Sequence, residues 1–196
     1  MPAKTDPIAI RRYTLLGIIG TIALTVSMTM GMDGAQAAGH AQEATPKDGE
    51  LPLPAHYRRW PRFMQHMNKT ETGHVRDLYI NCIGASSIKG EPMANGSQFV
   101  SELYDAKRDT DGRLIKDADG NLIKGDLVHI FMMAKDEGWG AGAGVPESLA
   151  TGDWIYTAFN PEDGSRLTDL NYNDCRSCHL PLKDDDYIFH YDQYFR

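Results

Sequence analysis

Two cysteines and a histidine near the end of the chain, in the run Cys175-Arg176-Ser177-Cys178-His179, have a spacing that few chemistries require. Cys-x-x-Cys-His is the attachment pattern of c-type haem, in which the two thiols bond the vinyl groups and the histidine ligates the iron. Zinc is a second interpretation, but it needs four ligands, and Cys82 lies far away in sequence. A redox dithiol is a third, although such motifs accompany a βαβ pattern. The spacing favours one covalent haem c per chain, bound through Cys175 and Cys178, with His179 on the iron.

The second axial position of the iron decides what such a haem can do. Electron-carrying cytochromes usually fill it with a methionine or histidine side chain. The 17 residues after His179 include no methionine, and His190 is the one histidine among them. We therefore expect an open position that accepts a small molecule, with a simple electron carrier ligated by His190 or by an upstream side chain as the alternative.

The first 37 residues have the layout of an export signal peptide. Lys4, Arg11 and Arg12 form a basic start, a nearly uncharged apolar run follows over residues 13–32, and an Ala-Gln-Ala cleavage pattern ends at residue 37. A retained membrane anchor is the alternative, because the apolar run is almost long enough to span a bilayer. We expect a periplasmic or otherwise exported protein, which agrees with haem c attachment outside the bacterial cytoplasm.

The remaining sequence is expected to form one folded domain. Residues 38–54 are polar and contain three prolines, which predicts a flexible leader, and the domain then covers residues 55–196. The formal charge of −7 argues against a nucleic-acid partner, because phosphate binding needs basic patches. The glycine-rich stretch at 137–152 lacks the Gly-Lys-Ser/Thr ending of a phosphate-binding loop, so nucleotide binding is not expected either.

Short runs rich in β-branched and aromatic residues, separated by turn residues, predict an antiparallel sheet. The runs are residues 74–82, 96–106, 126–137 and 153–160. The third run also fits a helix by periodicity, but its neighbours favour a strand. Between the second and third runs, the related sequences DGRLIK and DGNLIK predict hairpin turns, because the glycine and glutamate positions of a calcium loop are missing.

Two helices are expected beside the sheet. Apolar residues three and four apart between Tyr57 and Met67 predict an N-terminal amphipathic helix that starts or bends at Pro61. A short helix from Asn171 to His179 is expected to carry the haem motif and to end before Pro181. The predicted fold class is mainly β (α+β), an antiparallel sheet with an N-terminal helix and a short C-terminal helix that carries the motif.

Several motifs, in their order along the chain, resemble the cytochrome P-460 family. They are YRRW at 57–60, LYIN at 78–81, GEPMANGSQFVSELY at 90–104, GDWIYTAF at 152–159 and the terminal CRSCH. The resemblance extends over most of residues 50–196. It implies an exported, mostly antiparallel β protein with a single haem c, and a homodimer.

The resemblance also implies a chemistry, the oxidation of a small nitrogen species such as hydroxylamine or nitric oxide, with a soluble electron-transfer partner. In P-460 enzymes a lysine is cross-linked to the porphyrin, and Lys89 is the candidate here. Cytochromes c′-beta lack that cross-link, have phenylalanines in the distal pocket, and bind nitric oxide or carbon monoxide. Phe99, Phe131 and Phe159 are candidates for such a pocket. Cys82 is expected to be a buried free thiol.

Overall fold

The framework of the protein, described for residues 45–195 by a computed structural model, is an antiparallel sheet of five strands in sequential order. The strands are β1 (Arg62–Lys69), β2 (His74–Ile80), β3 (Gln98–Ala106), β4 (Lys124–Lys135) and β5 (Trp154–Phe159). Each strand pairs antiparallel with the next along the chain. A tight turn joins β1 to β2, and longer segments join the later strands. The mainly β fold class is confirmed, and the ambiguous third run is a strand.

Short helices connect and flank the strands. Within residues 45–195 the α-helices are α1 (Cys82–Ala85), α2 (Trp139–Gly142), α3 (Tyr172–His179) and α4 (Tyr191–Tyr194). Single-turn or short 3-10 segments cover Tyr57–Arg59, Glu147–Leu149 and Leu180–Asp185. In this described part of the chain, the structure contains no helix with the length and apolar character that a bilayer crossing requires.

The predicted N-terminal helix is wrong. Residues Tyr57–Arg59 form a single 3-10 turn, and the apolar residues that follow lie on β1. Pro61 lacks a backbone N–H and disfavours helical backbone at the residue before it, and Trp60 is indeed extended at φ −70° and ψ 158°. The chain therefore leaves the turn directly into a strand.

A β-bulge accounts for the misleading helical spacing. Met64 pairs with Leu78 and Met67 pairs with Arg76, so β1 uses three residues where β2 uses two. The extra residue lies where His66 adopts a φ of +54°, and its backbone N–H bonds the carboxylate of Asp77 instead of the neighbouring strand. A bulged strand can thus place apolar residues three apart and imitate a helix.

The two faces of the sheet bury separate apolar cores. One face, here called the site face, packs against the C-terminal segment at 172–195. Its buried residues are Phe63, Ile80, Met93, Phe99, Met133, Trp154, Tyr156, Tyr187, Ile188, Tyr191 and Phe195. The opposite face, here called the far face, is covered by the chain before β1 and by the region around α2. Its buried residues are Leu51, Tyr57, Tyr79, Val100, Ile130, Met132, Ala134, Ala143, Ile155 and Phe159.

Residues 45–54, predicted as part of a flexible leader, belong to the folded body. The backbone N–H of Gly49 donates to the carbonyl oxygen of Tyr156 at 2.7 Å, and the N–H of Tyr156 donates to the Asp48 carboxylate at 2.9 Å. Leu51 is buried in the far-face core. The remaining leader residues and the predicted signal peptide at 1–37 lie outside the described residues.

The two related Asp-Gly sequences form hairpin turns, as predicted. The carboxylate of Asp109 accepts the backbone N–H groups of Asp111 and Arg113, and that of Asp117 accepts those of Asp119 and Asn121. Each aspartate therefore satisfies the backbone of its own turn, which is the structural role that aspartate commonly has in turns.

Candidate functional site

A cavity of about 370 Å³ lies between the site face and the C-terminal segment. Cys175, Cys178 and His179 all border it, so the structure brings the three predicted site residues to one place. The sheet supplies the opposite wall from β1 to β5. The helix α3 that carries the motif thus borders a partly open, mainly apolar space of the size that ligand pockets have.

Local sequence fixes the helix that presents the motif. The side-chain oxygen of Asn171 accepts the backbone N–H of Asn173 and caps the N-terminus of α3. The α-helix ends at His179, and Pro181 continues the chain as a 3-10 turn. The five residues from Cys175 to His179 cover little more than one helical turn, so all three side chains lie on neighbouring positions of the same helix.

The ring of His179 is held on three sides. Its Nδ1–H donates to the carbonyl oxygen of Tyr187 at 2.7 Å, since a carbonyl oxygen can only accept. The rings of Tyr156 and Phe189 lie 5.3 Å and 4.9 Å from the imidazole centroid. Burial lowers the pKa of His179 and keeps the imidazole neutral at pH 7. Its Nε2 therefore carries a free lone pair, which is the form that ligates a metal.

The two cysteines of the motif differ in environment. Burial, reinforced by the nearby Asp48 carboxylate, raises the pKa of the Cys175 thiol to about 11, whereas Cys178 is exposed. Cys82, expected to be buried, is exposed at the first residue of α1. The prediction of a buried thiol is wrong because the chain leaves the sheet at Asn81, which caps α1, and Cys82 follows it.

Aromatic and aliphatic side chains of the sheet form the wall that faces the motif. Phe63, Phe99 and Phe131 all border the cavity, and the rings of Phe63 and Phe99 meet edge to face at 5.0 Å. Phe159 is fully buried in the far-face core instead. The sequence does not identify Phe63 as a site residue, because the apolar spacing of its segment predicts a helix instead of the strand β1.

Three residues that border the cavity have a buried polar atom with no protein partner, and these atoms are Arg76 Nε, Ser101 Oγ and Thr157 Oγ1. Thr157 lies on β5 between Ile155 and Phe159 of the far face, so Arg76 and Ser101 are the two on the site face. Buried polar groups without partners are rare, and they point to a bound group that supplies the partner. Apolar walls, isolated polar groups and three motif side chains together fit a haem, whose macrocycle is apolar and whose propionates are charged.

The remaining candidates lie at the edge of the site or outside it. Lys89 is about half exposed, and its Nζ lies 2.8 Å from a carboxylate oxygen of Asp192. The lysine that borders the cavity is Lys69, at the end of β1. His190 also borders the cavity, and its Nδ1 lies 3.1 Å from the amide oxygen of Gln193. It comes directly after Phe189, whose ring contacts that of His179.

The fold and the site define a class of protein, a small β-sheet protein in which a C-terminal Cys-x-x-Cys-His helix borders a cavity on one sheet face. Residues 54–190 match the family model described as Cytochrome P460, and the chain belongs to that family. Membership implies a haem cofactor with iron and an action on small nitrogen species, and the family is typically exported. A comparison with curated proteins finds no match.

Proposed function

We propose that the chain is an exported protein with one covalently attached haem c and an open axial position, which oxidises a small nitrogen species such as hydroxylamine or nitric oxide. The observation that carries this proposal is the orientation of His179. Its Nδ1 is engaged by the Tyr187 carbonyl, its Nε2 is left for the iron, and the facing wall is aromatic and aliphatic. Among the described residues of this wall, the side chains with an amine nitrogen or a thioether sulfur are Met67, Lys69, Met132 and Met133.

The residues of the site have distinct roles in this proposal. Cys175 and Cys178 form thioether bonds that fix the haem against α3, and His179 ligates the iron from the same helix. When bound, haem iron supplies a centre that binds a nitrogen ligand and passes electrons one at a time. Phe63, Phe99 and Phe131 exclude water from the substrate side, which strengthens each electrostatic interaction there.

Arg76 and Ser101 are the groups on the sheet that can contact substrate. Both are buried at the cavity wall with an unpartnered atom, so each can donate a hydrogen bond to an oxygen or nitrogen atom without first breaking a protein contact. The Arg76 guanidinium also lies 6.0 Å from the Phe131 ring centroid, which holds it over the aromatic wall. A positive group there can hydrogen-bond the oxygen atom of a bound substrate and stabilise partial negative charge on it.

Electrons that leave the iron require an acceptor, and we propose a soluble electron-transfer protein in the exported compartment. A homodimer is part of the same proposal. Sedimentation analysis of the mature protein tests the oligomeric state, and a mass twice that of the chain is expected.

Absorption spectroscopy tests the open axial position. Reduced wild-type protein is expected to give a five-coordinate spectrum that changes on adding nitric oxide. Hydroxylamine is expected to be consumed when an artificial one-electron acceptor is present. A six-coordinate, low-spin spectrum that resists both ligands would contradict the proposal and would favour the electron carrier ligated by His190 or a methionine.

A second candidate, binding of nitric oxide or carbon monoxide without turnover, is favoured by the position of Lys89. Its ammonium group is engaged by Asp192 at the surface, and aromatic residues line the cavity. Digestion and mass spectrometry of the holoprotein distinguish the candidates. A haem peptide that contains only the Cys175–Cys178 segment, together with absent hydroxylamine turnover, favours gas binding. A haem-linked peptide around residue 89 would instead support an enzyme in which Lys89 is cross-linked to the haem.

A further inference from the structure

Arg176, the first of the two residues between the cysteines, is the most deeply buried charged group near the site. Its side chain has no exposed surface, although it follows Cys175 on a short surface helix. The guanidinium Nε and one terminal nitrogen bind the two oxygens of Asp48 at 2.7 Å and 2.9 Å. The other terminal nitrogen donates to Thr151 Oγ1 at 3.0 Å. A planar fork in which each of the three nitrogens donates a hydrogen bond is geometry that arginine, and not lysine, provides.

This network links three segments that are distant in sequence. Asp48 belongs to the chain before β1 and also accepts the backbone N–H of Tyr156 on β5. The Tyr156 hydroxyl donates to Thr151 Oγ1 at 3.1 Å, and the Arg176 guanidinium lies 5.3 Å from the Tyr156 ring centroid. Arg176 therefore fastens α3 to β5 through Asp48, Thr151 and Tyr156.

The same network reaches the iron ligand. The Tyr156 ring lies 5.3 Å from the His179 ring, which the Tyr187 carbonyl holds on another side. Any displacement of Arg176 would move Tyr156 and α3 together, and His179 is the last residue of α3. Groups that surround a ligating histidine set its orientation and basicity, and hence the reduction potential of the metal.

We propose that Arg176 and Asp48 are a charge-balanced positioning pair that sets the reduction potential of the haem and the orientation of His179. This rests on the haem ligation in the proposed function. The positive and negative charges of the pair lie side by side against the haem-binding helix, so each cancels the field of the other at the iron. Removing one member leaves an uncompensated buried charge beside a redox centre.

The two single variants are expected to shift the midpoint potential of the haem in opposite directions, because each leaves a charge of opposite sign. Asp48→Asn leaves the Arg176 cation, which favours the reduced and less positive iron, so the midpoint potential is expected to rise. Arg176→Gln leaves the Asp48 anion, which favours the oxidised iron, so the potential is expected to fall. The double variant restores charge balance, and its potential is expected to return towards that of wild type.

Spectroelectrochemical titration of purified holoproteins measures these potentials. Arg176→Lys separates charge from geometry, because it keeps the cation but loses the fork, and its potential is expected to stay near wild type. Asp77→Asn is the matched control, since Asp77 is a buried carboxylate that is paired with Lys124 and Arg62 away from the motif helix. Its potential is expected to be unchanged.

Shifts of the same sign in both single variants, or no shift in either, would overturn the proposal and leave the pair a structural contact. The resonance Raman iron–histidine band of the reduced proteins supplies a second readout. Broadening of that band in Arg176→Gln supports positioning of His179, and an unchanged band in all variants counts against it. If wild-type protein shows no iron–histidine band and no haem c, the proposed function itself fails, and that outcome is separate.

Discussion

The Nδ1–H of His179 donates to the carbonyl oxygen of Tyr187 at 2.7 Å, eight residues further along the chain. Two successive left-handed residues, Asp186 at φ +48° and Tyr187 at φ +65°, turn the chain so that this carbonyl points back at the helix. The Asp186 carboxylate is held in place by Lys135 Nζ and by the backbone N–H of Met93, each at 2.8 Å. The strained turn is thus stabilised from the sheet, and it fixes the imidazole tautomer.

Replacing His179 with alanine is expected to remove the axial ligand while both thioether bonds remain. The haem should stay attached, but the reduced spectrum should lose its five-coordinate histidine signature, and nitric oxide should bind with altered spectral changes. His190→Ala is the matched control, because that histidine borders the same cavity and its Nδ1 is engaged by Gln193. The interpretation is wrong if the His190 variant changes the spectrum and the His179 variant does not.

Thiol labelling of the native protein is expected to separate the three cysteines. In the holoprotein only Cys82 should react with an alkylating reagent, because it is exposed and both motif thiols are consumed in thioether bonds. In protein produced without haem, Cys82 and Cys178 should react first. Cys175 should react more slowly, because burial raises the pKa of its thiol to about 11 and the thiolate is the reactive form.

Mass spectrometry of the labelled peptides gives the result directly. The Cys82→Ser holoprotein should not be labelled, and it should keep its haem through acid–acetone extraction. The double variant Cys175→Ser with Cys178→Ser should release its haem in the same extraction. Rapid labelling of Cys175 or Cys178 in the holoprotein would show that the haem is not attached there.

Two buried phenylalanines on opposite faces of the sheet make a matched pair for the cavity wall. Phe99 borders the cavity, while Phe159 lies in the far-face core. Phe99→Leu is expected to change the rate and affinity of nitric oxide or carbon monoxide binding, because it alters the space that faces His179. Phe159→Leu should leave ligand binding unchanged and lower only the free energy of unfolding, by about 1 kcal/mol or somewhat more. Flash photolysis and urea unfolding measure the two effects, and equal ligand kinetics in both variants would contradict this assignment of the wall.

Glu102 is a buried carboxylate on the far face of β3 that is surrounded by donors. It accepts hydrogen bonds from the hydroxyl groups of Tyr57, Tyr79 and Tyr104 at 2.7, 3.0 and 2.7 Å, and from Arg58 Nε at 2.6 Å. Burial alone would raise the pKa of Glu102, but the hydrogen bonds from Tyr104, Tyr57 and Arg58 outweigh it and lower the pKa below its ordinary value.

A carboxylate with a lowered pKa stabilises the fold above its unfolded-state pKa, and this stabilisation is lost as the pH falls through the folded-state value. Glu102→Gln is therefore expected to lower the free energy of unfolding at pH 7 by about 1–3 kcal/mol, because buried hydroxyl donors lose their partner. The difference from wild type should shrink in acid, below about pH 4, the ordinary glutamate range. Urea unfolding at pH 7 and below about pH 4 measures this difference in the free energy of unfolding. Glu162→Gln, at an exposed position, is the control. If Glu102→Gln lost the same stability at both pH values, the ionised form of Glu102 would not be the source of the stabilisation.

Much of the β framework was predictable from local sequence. The runs that became β2 to β5 are rich in β-branched and aromatic residues and are separated by turn residues, so their character is set within a few positions. β1 was not predictable in this way. Its apolar spacing follows a bulge at His66, and a bulge depends on pairing with another strand rather than on the residues themselves.

The sequence by itself determined how the motif is arranged and so predicted its cofactor, because Cys175, Cys178 and His179 lie within about one helical turn, where spacing along the chain is also spacing in the molecule. Only the tertiary structure decided what surrounds them. Phe63, Arg76 and Ser101 reach the cavity from three different strands, and Asp48 reaches Arg176 across 128 residues of sequence. Lys89, by contrast, points to Asp192 at the surface. Such neighbours are brought together by strand register and by packing on one face of the sheet, and no local pattern encodes them.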